Sequence, residues 1–78
     1  MYSISFHENG RFITCIGGPL RTIGECLQQI SKLTDSVDVT ETEGFVGCKW
    51  NRNGTACHLL VVNEMGIPVK ESPAQKED

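Results

Sequence analysis

Two Asn-Gly pairs, Asn9-Gly10 and Asn53-Gly54, each sit between segments in which apolar and polar residues alternate. A two-residue turn of the kind that closes a hairpin needs positive φ at both central positions. Asn followed by Gly accepts this at low cost, so each pair predicts a β-hairpin and its register. For the first, Glu8 faces Arg11, His7 faces Phe12, Phe6 faces Ile13 and Ile4 faces Cys15. One face then gathers Tyr2, Ile4, Phe6, Ile13 and Cys15, and the other Ser3, Ser5, His7, Phe12, Thr14 and Ile16. For the second, Trp50 faces Cys57, Cys48 faces Leu59 and Val46 faces Val61, while His58, Leu60 and Val62 point the other way.

Between the hairpins the pattern changes period. Gly17-Gly18-Pro19 is expected to break the strand. Thr22 and Glu25 have capping-box spacing, in which hydroxyl and carboxylate each satisfy a free amide at a helix start. Ile23, Cys26, Leu27, Ile30 and Leu33 follow at the 3,4-spacing of one helix face, so a helix is expected from about 20 or 23 to 34. Residues 35–43, DSVDVTETE, alternate again. With Glu43-Gly44 as the turn, Val37 meets Trp50, Val39 meets Cys48, and Asp38 meets Lys49 on the opposite side. Ile67-Pro68-Val69 reads as a short edge strand, where proline's missing N–H is tolerated. The expectation is a two-layer α+β domain over residues 1–70 in ββαβββ order. It has five antiparallel strands, or six with 67–69, and one helix on one face. Residues 71–78 are expected to form a flexible polar tail.

The chain has 78 residues. A chain that short buries only about 60% of its unfolded surface, so a sheet with one helix is close to the largest core available. Seven Lys and Arg against ten Asp and Glu argue against direct nucleic-acid binding, which needs cations to displace phosphate counterions. No apolar run reaches membrane-spanning length, and the first residues lack a basic-then-apolar leader pattern, so no membrane partner and a cytoplasmic, reducing setting are expected.

The stretch GFVGCKWNRNGTACHLLVV poses the question of a thiol or metal site. Alternation puts Cys15, Cys48 and Cys57 on the helix-facing side, and Cys26 lies on the helix stripe, so all four are expected as core thiols. In the Asn53-Gly54 register Cys48 and Cys57 are diagonal neighbours, about 7 Å apart. That exceeds the Cβ separation of about 3.8 Å that a disulfide needs. A four-residue loop would place them opposite. Spacings of 11, 22 and 9 contain no close ligand pair of the kind zinc sites use, and no cofactor or metal is assigned.

What remains is surface. One helix cannot cover both faces, so the second face, carrying His7, Phe12, Ile16, Lys49, His58, Leu60 and Val62, is expected as a protein contact, foremost with a second copy stacked sheet on sheet. The acids Asp35, Asp38, Glu41 and Glu43 form a second surface. They fit a basic, nucleic-acid-binding protein, or serve to keep an edge strand from pairing with other chains. The expected function is a non-catalytic interaction or regulatory module, in one form an inhibitor of a nucleic-acid-handling enzyme such as phages and other mobile elements encode. The alternative is a small enzyme or ligand-binding subunit with a site between protomers around His7 and His58. Ser3, Ser5 and Thr14 share a face with His7, but strand serines on a solvent face are the ordinary reading and no acid is placed to orient that imidazole for nucleophilic chemistry.

Overall fold

A computed structural model of the chain describes residues 1–42 and 44–70. It contains β1 (Tyr2–Glu8), β2 (Arg11–Leu20), α1 (Ile23–Leu33), β3 (Thr40–Glu41), β4 (Gly47–Arg52) and β5 (Thr55–Val62). The strands form one antiparallel sheet in the order β2-β1-β5-β4-β3, with α1 against one face. This is the expected α+β two-layer architecture. No helix among the described residues is long and apolar enough to cross a membrane.

Both Asn-Gly turns form. Asn9 and Asn53 have φ of 51°, and Gly10 and Gly54 have φ of 79° and 86°, the left-handed conformation that these residue types tolerate. From the second turn, β4 and β5 pair without interruption from Arg52↔Thr55 to Gly47↔Leu60. The β1–β5 ladder is equally regular, from Ser3↔Val62 to Glu8↔Cys57, and it joins the two hairpins. At the turn end, Asn9 N–H donates to Ala56 O at 2.7 Å, and Ala56 N–H donates to Asn9 Oδ1 at 3.1 Å.

The first hairpin departs from the expected register. Glu8↔Arg11 and His7↔Phe12 pair as expected, but Phe6 then pairs with Thr14, Ser5 with Cys15, Ile4 with Gly17 and Tyr2 with Leu20. The register shifts three times: Ile13 and Ile16 are the extra residues of the first two bulges, and the third shift lies between Gly17 and Leu20. Each bulge inserts one residue into β2 and so reverses the face of the residues beyond it. Cys15 is therefore not a core thiol: it is exposed, on the side away from the helix. Gly17-Gly18-Pro19 does not end the strand either, since β2 runs on to Leu20. Gly18, at φ 118°, lies so close to β1 that a Cβ there would come within 2.9 Å of Tyr2 O. The glycine lets β2 stay paired where a side chain could not fit.

The helix begins as expected. Thr22 is the N-cap and its hydroxyl accepts from Glu25 N–H at 3.1 Å, with Glu25 Oε1 accepting from Thr22 N–H at 3.2 Å. Cys26 and Ile30 are buried, whereas Leu27 and Leu33 are 46% and 44% exposed, so the stripe that meets the sheet is narrower than the spacing implied. The core joins Cys26 and Ile30 to Ile4, Cys48, Leu59 and Val61, flanked by Phe6 and Trp50, whose rings stack at 6.2 Å. All four cysteines are free.

Within residues 35–42 the strand is limited to the two-residue β3. The turn after α1 continues through Ser36, with Val37 N–H donating to Thr34 O at 3.2 Å, so the chain reaches β4 late. Thr40 pairs with Lys49 and Glu41 with Cys48, two residues away from the expected register, and Asp38 does not face Lys49. Val37 and Val39 are exposed. The expected sixth strand is reduced to isolated bridges, Val62↔Pro68 and Phe45↔Lys70. Val69 is held by its N–H to Val61 O and by Val46 N–H to its own O, at 2.8 and 2.9 Å. Residues 71–78, the expected tail, lie outside the described residues, as does Glu43.

Candidate functional site

Pairing alone builds the second face. Across the sheet, Phe12 (β2), His7 (β1), His58 (β5), Lys49 (β4) and Thr40 (β3) stand directly opposite one another in one continuous row. The next row is Cys15, Ser5, Leu60 and Gly47. Directly opposed side chains on one face have Cβ atoms about 4.5–5.5 Å apart. His7 and His58, 51 residues apart in sequence, are thus brought into contact range by the β1–β5 ladder.

The row is ordered by specific contacts. Phe12 meets the His7 ring edge-on at 5.7 Å. Ser5, only 3% exposed, places its Oγ 2.8 Å from His7 Nε2 and donates to Leu60 O at 3.3 Å. The Ser5 hydroxyl thus links the His7 ring to the β5 backbone at Leu60. Burial, reinforced by neighbouring His58, holds the His7 pKa below the usual histidine range, so its ring is neutral near pH 7. His58 Nδ1 is buried with no hydrogen-bond partner among the described residues, an uncompensated polar atom of a kind that is rare in folded chains.

Of the residues expected on this face, His7, Phe12, Lys49, His58 and Leu60 lie together. Phe12 is 58% exposed, Lys49 is exposed, and His7, His58 and Leu60 are partly buried. Ile16 sits at a bulge of the edge strand, 41% exposed. Val62, expected to be open, is 6% exposed because the Gly66–Pro68 segment folds back beside it. That fold-back closes one side of a cleft of about 470 Å³, lined by Ser5, His7, Phe12, Cys15 and Val62 with Pro68. A shallower hollow of about 260 Å³ adjoins it, lined by Thr42, Phe45, Lys49, His58 and Leu60. Alternation signalled that Ser5 and His7 share a face. Cys15, Phe45 and Thr42 came without a signal, because bulge and loop geometry place them.

Asp35, Asp38 and Glu41 are exposed around the β3 edge. The ion pairs among the described residues are Arg52–Glu8 and Met1–Glu64, so these three acids have no cation partner there. Burial and the adjacent Glu25 charge push the Cys26 thiol up, and burial pushes Cys48 up, which makes these two poor ligands and nucleophiles.

Comparison with known proteins yields no matching family model, no matching curated protein and no matching solved structure.

Proposed function

We propose that the chain is a small non-catalytic protein-binding module whose open sheet face docks a second copy of itself, sheet on sheet. The observation that carries this reading is the five-strand row from Phe12 to Thr40. Every strand contributes one side chain to a continuous surface opposite the helix, and among the described residues the Gly66–Pro68 fold-back covers its Val62 side. The row contains no acid although the chain carries a net charge of −3, so two copies meet there with less repulsion than elsewhere. The molecule measures 35 × 27 × 21 Å, so its broad side is large enough for the roughly 800 Å² per partner of a standard interface. Phe12 and Leu60 provide the apolar contact, with Phe45 beside them.

Light scattering on a sizing column at micromolar concentration tests the reading. The wild type is expected as a dimer and the Phe12→Asp/Leu60→Asp variant as a monomer with an unchanged circular dichroism spectrum. A wild type that stays monomeric sinks it.

The acids Asp35, Asp38 and Glu41, without a cation partner among the described residues, support a second reading, in which the β3 edge contacts a basic surface on a nucleic-acid-handling protein, as an inhibitor of such an enzyme does. Binding to that class of partner should then weaken with salt and with Asp38→Lys or Glu41→Lys. Salt-independent binding counts against it.

A further inference from the structure

We infer that the His7–His58 pair makes the sheet-on-sheet contact respond to pH: two copies stay docked while the imidazoles are neutral and separate when the imidazoles take up protons. The inference rests on the sheet-on-sheet reading and adds how that contact is regulated.

The β1–β5 ladder sets two imidazoles side by side in the middle of the open face, as direct cross-strand neighbours. No strand beside them brings an acid to balance an imidazolium. β2 places Phe12 next to His7, with the Cys15 thiol one row away, and β4 places the cation Lys49 next to His58. β3 adds Thr40 beyond Lys49, and the Gly66–Pro68 fold-back carries no ionisable side chain. Glu8, which follows His7 in β1, is paired with Arg52 at 3.1 Å, and Glu64 is paired with the N-terminal amine at 2.8 Å. A protonated imidazole donates from both ring nitrogens. His58 Nδ1 is buried with no partner among the described residues, so the charged ring holds an unsatisfied donor there, whichever tautomer the neutral ring adopts. Docking a second sheet removes water from this face, and taking an imidazolium out of water costs far more than taking a neutral imidazole. It also brings the imidazoles and Lys49 of one copy near those of the other, so each added proton meets like charge. Burial and the neighbouring His58 already lower the His7 pKa in the single chain, and a covering sheet strengthens the first cause. Protonation and docking therefore oppose each other, and by linkage a lower pH favours separate chains.

The test follows the full chain by sedimentation equilibrium at pH 7.5 and pH 5.5 and equal ionic strength, with circular dichroism at both. The dimer dissociation constant should rise about tenfold or more at pH 5.5, the change that linked uptake of one proton over one pH unit gives, while the spectrum stays native. The His7→Gln/His58→Gln variant should dimerise equally at both pH values, and each single variant should keep part of the shift. A wild-type dimer with the same constant at both pH values overturns the pH response and leaves sheet stacking standing. A full shift in the double variant overturns it too, because the protons then bind elsewhere. Dissociation that comes with loss of the native spectrum is unfolding and likewise overturns it. A chain that is monomeric at pH 7.5 overturns both the response and the stacking.

Discussion

The two hairpins share a turn and differ in what holds their outer strands. From Asn53-Gly54, β4 and β5 keep one register through Arg52↔Thr55 to Gly47↔Leu60. From Asn9-Gly10, β2 slips against β1 three times along the strand. The difference lies in the neighbours. β5 is clamped between β1 and β4 with Cys57, Leu59 and Val61 buried at 1% exposure or less, so a one-residue slip would turn these side chains out of the core. β2 has a neighbour on one side only, and Arg11 to Ile16 are all exposed, so a bulge there withdraws little from the core. The bulges also bend and twist that long edge, which makes it a poor template for another strand.

Single-residue deletions break this comparison most directly. Removing Lys49 shifts Cys48 and Val46 to the wrong face of β4, and cooperative folding should be lost. Removing Ile13 makes His7↔Phe12 and Phe6↔Thr14 consecutive pairs, and should change stability by no more than about 1 kcal/mol. Urea unfolding followed by Trp50 fluorescence measures both. Equal damage from the two deletions would show that β2 register matters as much as β4 register.

A smaller step is truncation within each hairpin. Leu59→Ala empties a site that is 1% exposed and should cost about 2–5 kcal/mol. Ile13→Ala, at a position 45% exposed, should cost less than about 1 kcal/mol. The same urea curves report it, and a cost for Ile13 as large as that for Leu59 would mean that the bulge residue is packed.

Thiol chemistry sharpens the contrast without changing the sequence. Cys15 should react with a thiol reagent at the rate of an exposed cysteine, while Cys26, Cys48 and Cys57 should react only through opening of the fold. The expected time course is one fast equivalent and three slow ones. Four slow equivalents would place Cys15 back in the core.

The same contrast explains what could be read from the residues alone. Element order, both turns, the capping box and the β4–β5 register were legible, because each rests on a local preference reinforced by burial. His7, Lys49, His58 and Leu60 were assigned to one face for the same reason. The position of Cys15 was not legible, because nothing in FITCI marks which isoleucine a bulge will take. The β3 register failed for another reason: DSVDVTETE alternates well, but the turn after the helix takes up residues before pairing begins at Thr40. Alternation reports a face only where the strand is actually paired. Val62 alternates correctly too, yet the Gly66–Pro68 segment buries it, a tertiary event with no trace in β5 itself.

The smallest expected effect lies where the hairpins join, at the His7–His58 pair. Burial first, and the charge of His58 second, lower the His7 pKa from its ordinary 6.5. Between that lowered value and 6.5 the unfolded chain binds a proton that the native chain does not, so stability increases with pH across this window. The contribution is complete above pH 6.5 and is lost as pH falls towards the folded value. Urea midpoints should therefore be lower at pH 5.5 than at pH 7.5. His58→Gln removes the like-charge cause and leaves the burial cause, so the difference between the two pH values should shrink without vanishing. An undiminished difference in that variant would mean that the β1–β5 seam does not couple the two imidazoles. The hairpins would then meet through backbone pairing and core packing, with no electrostatic link between their histidines.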